Sequence, residues 1–126
     1  MIIGNIKIEK FLYEDKTLNY VSYIDLSEPE FEYREYSNGT KAWFKNGKYH
    51  RENGLPAFVD SDGSREWYKD GKLHRDDDLP AVLCSDGTKE WYKNGERHRE
   101  GDAAAIIRAN GTKAWYKNGN KIYSSI

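Results

Sequence analysis

Three histidines, His50, His74 and His98, each followed by an arginine, Arg51, Arg75 and Arg99, are the most chemically versatile side chains of this 126-residue sequence. Imidazole ligates metals and moves protons near neutral pH. A neighbouring guanidinium would hold an anion. The histidines recur every 24 residues; if each interval folds as at least two strands, successive rings stand about 10 Å apart. Nitrogen ligands of one zinc sit roughly 2 Å from it, so no ion is shared. Catalysis would need a nucleophile or paired carboxylate within hydrogen-bond reach, and no Ser/His/Asp or Cys/His grouping recurs. The expectation is no enzyme, no metal and no cofactor, with each imidazole packed across from tryptophan and a ring nitrogen capping loop backbone.

The elements that carry these residues repeat with the same period. Trp43, Trp67, Trp91 and Trp115 are 24 residues apart, inside near-copies that run Ser37–Gly47, Ser61–Gly71, Ser85–Gly95 and Ala109–Gly119. Each copy holds two Asn-Gly or Asp-Gly pairs, at 38/39, 62/63, 86/87 and 110/111 and at 46/47, 70/71, 94/95 and 118/119. Such pairs tolerate the positive φ of a two-residue hairpin turn, so between Thr, Trp and Tyr they predict hairpins. The chain reads as an all-β, open antiparallel meander, elongated, with strands of the kind Ser64–Lys69. The longer return, Lys48–Asp60, is predicted to bend or bulge at Glu52–Pro56.

Two-residue turns throughout place Asp60 opposite Arg65 and Phe58 opposite Trp67, then Trp67 opposite His74 and Glu66 opposite Arg75. One face then collects Phe58, Trp67 and His74, continuing through Val82, Trp91, His98, Ile106, Trp115 and Ile122; the other collects Val59, Tyr68 and Leu73. The tryptophan face is expected to be the better buried, because indole buries the most area. Residues 1–36 lie outside the repeat. Ile6, Ile8, Leu18 and Tyr20 around Glu14-Asp15-Lys16 predict a hairpin that caps the sheet edge, and Phe31–Tyr36 aligns with Leu55–Asp60 as a starting half-unit. One continuous domain follows, with the cap at 1–36 and units at 37–60, 61–84, 85–108 and 109–126.

Asp-Gly-Ser/Thr, then Trp, then Asn/Asp-Gly, then His resembles the MORN repeat, especially bacterial and phage variants, over roughly 37–126. The resemblance implies hairpins laid side by side in one twisted sheet and an interaction or scaffold role; lipid binding is sometimes proposed for the family, and some bacterial variants are described as antitoxin-like. The sequence departs where Arg51, Arg75 and Arg99 replace the family's glycines after His, and where Leu55-Pro56-Ala57 and Leu79-Pro80-Ala81 appear.

Composition narrows the partners. The 20 Lys+Arg against 21 Asp+Glu give a net charge of −1, without global attraction to nucleic acid or anionic membrane. Apolar runs are too short for a spanning helix, the start lacks a signal-peptide core, and Cys84 has no intrachain partner, so a cytoplasmic protein without membrane insertion is expected. Lys45, Lys69, Lys93 and Lys117, with Lys41, Arg65, Lys89 and Lys113 on the same side, could follow a phosphate backbone. The units carry 16 positive and 13 negative residues, weak for nucleic acid, and a solvated, edge-protecting row is the plainer account. Glu66–Arg75 and Glu90–Arg99 are expected as cross-strand pairs, which leaves Arg51, opposite Ala42, as the unpaired binding candidate beside Phe44 and Tyr49. The acidic residues of 1–36 and Asp76-Asp77-Asp78 read as solubility, or as a surface for a basic partner. The function favoured is a non-enzymatic protein-interaction module, in the form of a phage or bacterial inhibitor acting on a host protein, binding through Phe44, Tyr49, His50, Arg51, Tyr68, His74, Arg75, Tyr92, His98 and Arg99. A small anionic-ligand or nucleotide binder and a nucleic-acid binder are the alternatives, and the open edge at 119–126 allows a monomer or an edge-paired homodimer.

Overall fold

The computed structural model describes residues 1–125; Ile126, the last residue of the fourth unit as delimited above, lies outside them. The described residues contain strands and no helix. The cap is β1 (Ile2–Ile3), β2 (Ile6–Leu12), β3 (Leu18–Asp25) and β4 (Phe31–Tyr36); the first unit is β5 (Lys41–Lys45), β6 (Lys48–Tyr49) and β7 (Phe58–Val59). The second is β8 (Arg65–Glu66), β9 (Tyr68–Lys69), β10 (Lys72–Leu73) and β11 (Val82–Leu83); the third is β12 (Lys89–Glu90), β13 (Tyr92–Lys93), β14 (Glu96–Arg97) and β15 (Ile106–Ile107). The array ends in β16 (Lys113–Lys117) and β17 (Asn120–Ser124).

Thirteen strands form one open antiparallel sheet in the order β1-β2-β3-β4-β5-β7-β8-β11-β12-β15-β16-β17, with β6 also paired to β5. The hairpins β9-β10 and β13-β14 are separate two-stranded ladders. The predicted cap hairpin is present, Ile8 lying opposite Tyr23. The starting half-unit keeps the register of its copies: Arg34 faces Ala42 as Phe58 faces Glu66 one period later.

The two Asn/Asp-Gly pairs of a unit make different turns. At Asp70-Gly71 both residues are left-handed (φ 51° and 82°), the signature of a two-residue type I′ turn, and Lys69 pairs with Lys72. At Asp62-Gly63 only Gly63 is left-handed (φ 93°); Gly63 N–H donates to Asp60 C=O, and Asp60 and Ser64 close a three-residue loop. The extra residue moves the pairing by one, so the predicted register is corrected: Val59 faces Arg65 and Phe58 faces Glu66. Because side chains alternate, a one-residue slip exchanges the faces. Phe58, Val82 and Ile106 therefore share a row with Glu66, Glu90 and Ala114, not with the tryptophans.

The predicted break in the return strand is a full excursion. His50 N–H donates to Trp43 C=O while Trp43 N–H donates to Ala57 C=O, so residues 51–56 leave the sheet and re-enter beside the same tryptophan. Trp67 and Trp91 repeat this with His74 and Ala81, and with His98 and Ala105. The alanines at re-entry, Ala57, Ala81 and Ala105, are completely buried, and Trp67 and Trp91 are 6% exposed. Buried residues lie on both faces, Trp67, Trp91 and the re-entry alanines on one and Ala42, Phe44, Ile106 and Ala114 on the other, so the tryptophan face is not set apart by burial as expected, and the outer Trp43 and Trp115 are only half-buried.

Candidate functional site

Each of the first three units builds the same cluster from tryptophan, histidine and arginine. The guanidiniums of Arg51, Arg75 and Arg99 lie 3.6, 3.7 and 3.8 Å from the ring centroids of Trp43, Trp67 and Trp91. Each also donates through Nη1 to a carbonyl of its own excursion, Pro56 at 3.1 Å, Pro80 at 3.1 Å and Ala104 at 3.0 Å. Guanidinium over indole contributes about 0.5–2 kcal/mol depending on desolvation, and the carbonyl bond fixes where the loop turns back. Arg51 is therefore held by Trp43 and Pro56, a correction to its reading as an unattached residue. The expected Glu66–Arg75 and Glu90–Arg99 pairs are absent: Glu66 and Glu90 stand on the opposite face, where Tyr68 and Tyr92 donate hydroxyl hydrogen bonds to them at 2.6 and 3.3 Å. Arg97 also donates to Glu90.

The imidazoles join one unit to the next. Nδ1 of His50, His74 and His98 accepts the backbone N–H of Asp70, Asn94 and Asn118 at 3.1, 3.1 and 2.9 Å, all in the turn of the following hairpin. An accepting Nδ1 places the proton on Nε2, which donates to Asp76 and Glu100 at 2.8 Å in the second and third units. His50 Nε2 lies 3.2 Å from Glu52 Oε1 but without the alignment of a hydrogen bond. Nδ1 of all three rings caps loop backbone, as expected, and in His74 and His98 the second nitrogen is bonded as well. Indole completes the join: Trp67, Trp91 and Trp115 donate Nε1–H to Gly54, Asp78 and Asp102 C=O of the preceding excursion. Neither the indole bond nor the arginine stack was read from the sequence. The signal available was the common spacing of Trp, His-Arg and the Pro/Ala step in every unit.

Phe44, Tyr49 and Tyr68 lie on the other face and stack in succession, each centroid 4.9 Å from the next. Arg34 sits over both Tyr20 and Phe44. Burial, and then the bond to Glu66, push the Tyr68 phenol well above its ordinary range; burial, and then Glu90, raise that of Tyr92. The ten proposed binding residues therefore do not converge. Phe44, Tyr49 and Tyr68 form a row of neighbouring rings on one face, which also carries Tyr92, while Arg51, Arg75 and Arg99 cover the indoles of the other.

The excursions enclose shallow clefts. One of about 380 Å³ lies between the first and second, lined by His50, Arg51, Trp67, His74, Arg75 and Asp76. Its neighbours, of about 410 and 190 Å³, lie on either side. Among the described residues, no group of three or more His, Cys, Asp and Glu side chains is placed to hold a metal ion. Burial, and then Glu90 and nearby aspartates, push the Cys84 thiol up, away from the thiolate a nucleophile requires.

Exposed carboxylates secure the loops. Asp62 and Asp86 accept the backbone N–H of Ser64 and Thr88, Asp76 and Glu100 accept from His74 and His98, and Asp78 accepts from Arg99; each bond holds its carboxyl below the usual range. A carboxyl lowered by folding adds stability above its unfolded pKa of about 4, and that stability is lost as pH falls through the folded value. Urea midpoints are thus expected to hold between about pH 5 and 7 and to fall progressively below about pH 4. A midpoint that stays level to pH 2 would contradict these roles.

No family model, curated protein or solved structure matches the chain.

Proposed function

We propose that this chain is a non-enzymatic protein-interaction module, a MORN-like sheet whose repeated surface docks a protein partner. The observation that carries the reading is the internal use of the polar machinery. The cluster histidines, arginines and tryptophans and the tyrosine–glutamate pairs of the second and third units bond within the chain, to their own unit or to an adjacent copy. A catalytic imidazole needs a free nitrogen facing a reacting atom, whereas here one nitrogen takes a turn N–H and the other contacts or bonds a carboxylate. What faces solvent is a regular surface that recurs with every copy. Among the described residues no helix is long and apolar enough to cross a membrane.

The test uses the full chain immobilised as bait in a lysate of its native host, with a parallel thermal-shift screen against nucleotides. The expected result is a protein enriched reproducibly over a scrambled-surface control and no rise in Tm with any nucleotide. A rise of several degrees with one nucleotide, or no protein enriched under any condition, would overturn the reading.

A further inference from the structure

The register places Lys41, Val59, Arg65, Leu83, Lys89, Ile107 and Lys113 in one line across the sheet, each directly opposite the next. Directly opposed residues of an antiparallel ladder share a face. In the continuous strand β5, Lys41 and Trp43 are two residues apart, so this is the tryptophan face. The cations are exposed and the aliphatics between them half-buried. Among the described residues the side chains of Lys41, Arg65 and Lys89 have no ion pair and no hydrogen bond, whereas Lys45 and Lys93, on the far side of the tryptophans, lie against Glu52 and Glu100. Glu35 stands directly opposite Lys41 at the cap end of the line; farther along, Arg75 adds charge: among the described residues its guanidinium has no carboxylate partner, and burial, then Arg65, lower its pKa. In the next unit Asp78 neutralises the corresponding Arg99.

We infer that this line is the docking surface, and that its occupant is an acidic segment of a partner protein in the extended polyproline II conformation, lying along the repeat axis, with carboxylates at every third residue and small aliphatic side chains between. The cations are two strands apart, about 9.5 Å, and one polyproline II turn of three residues rises about 9.3 Å and returns every third side chain to the same side. Carboxylates at that interval meet Lys41, Arg65 and Lys89 in turn, while the intervening side chains lie over Val59 and Leu83. Arg75, next to Arg65, strengthens the middle position. A nucleic-acid strand fits less well. Its bases would need open aromatic faces, but guanidiniums cover Trp43, Trp67 and Trp91, and the Glu52 and Glu100 carboxylates flank the same face.

This inference rests on the protein-interaction reading and names its partner by chemistry. The test is fluorescence anisotropy of the full chain with a labelled peptide of about twelve residues repeating Glu-Val-Thr, beside an oligothymidine of equal charge. The expected result is saturable peptide binding that weakens at least about tenfold in the Arg65→Glu/Lys89→Glu double variant and with added salt. Binding should be unchanged by Lys121→Glu, whose strand position faces Tyr116 on the opposite side. Arg65 and Lys89 are exposed and unbonded, so circular dichroism and Tm should match the parent. Absence of peptide binding, equal loss in Lys121→Glu, or tighter binding of oligothymidine would overturn the inference. If the lysate partner is captured equally by the double variant, the module reading stands and this surface assignment fails; if no partner is captured at all, the module reading fails.

Discussion

Trp67→Ala is expected to cost about 3–5 kcal/mol and to lower Tm by roughly 10–20 °C, an effect that Trp91→Ala, with the same burial and contacts, should match. Three contacts vanish together. The indole is 6% exposed, its Nε1–H closes the preceding excursion at Gly54 C=O, and its ring carries Arg75 at 3.7 Å. Truncation leaves a cavity among residues too small to fill it, because the neighbouring re-entry positions are Ala57 and Ala81. It also leaves a loop carbonyl without its donor and a guanidinium without its platform. Trp115→Ala is the internal comparison: that indole is half-buried, and Tyr123 stands where its copies have arginine. Urea titration with an unchanged m-value reads both. A smaller loss for Trp67 than for Trp115 would mean that the clusters do not hold the units together.

His50→Ala should cost about 2 kcal/mol, because it removes a buried acceptor and strands the Asp70 N–H in the turn of the next hairpin. The effect should be concentrated one unit away from the substitution. In hydrogen exchange the Asp70 amide, and with it Gly71, whose N–H donates to Tyr49 C=O, should lose protection, while the cap strands keep theirs. His50→Gln, which retains an acceptor on a flexible stem, should recover part of the loss. Unchanged protection at Asp70 in the alanine variant would show that the imidazole does not cap the turn. Each of the three histidines caps the hairpin that follows it, and Ile122, at the corresponding position of the fourth unit, is 61% exposed.

Much of this arrangement is legible in the amino-acid order because it is local. The 24-residue spacing of tryptophan, the positions of all eight turn pairs and the cap hairpin around Asp15 depend on residues within a few positions of each other. The half-unit at Phe31–Tyr36 is legible for the same reason, as it aligns with its copy by one period. The register was not. Asp62-Gly63 and Asp70-Gly71 are the same dipeptide, yet the first lies in a three-residue loop and the second in a two-residue turn. What separates them is Ser64 or its counterparts Thr40, Thr88 and Thr112, whose backbone N–H bonds the Asp or Asn side chain two residues earlier. An Asx turn of this kind is a recognisable sequence feature, and weighing it would have returned Phe58 to the row of Glu66.

The site followed the same division. That His, Arg and Trp belong to one recurring cluster is carried by composition and spacing, because the first three copies preserve them. Which atoms meet is settled by adjacency between copies: His50 reaches Asp70 and Trp67 reaches Gly54 across 20 and 13 residues, distances at which local propensity has no influence. The pairing of Glu66 with Tyr68 in place of Arg75 follows from the excursion that takes the chain out of the sheet after His74, and the line of unpartnered cations along Lys41, Arg65 and Lys89 from the one-residue step in a turn. Side chains on a strand alternate between faces, so that single step, set by a loop, selects the neighbours of every residue beyond it.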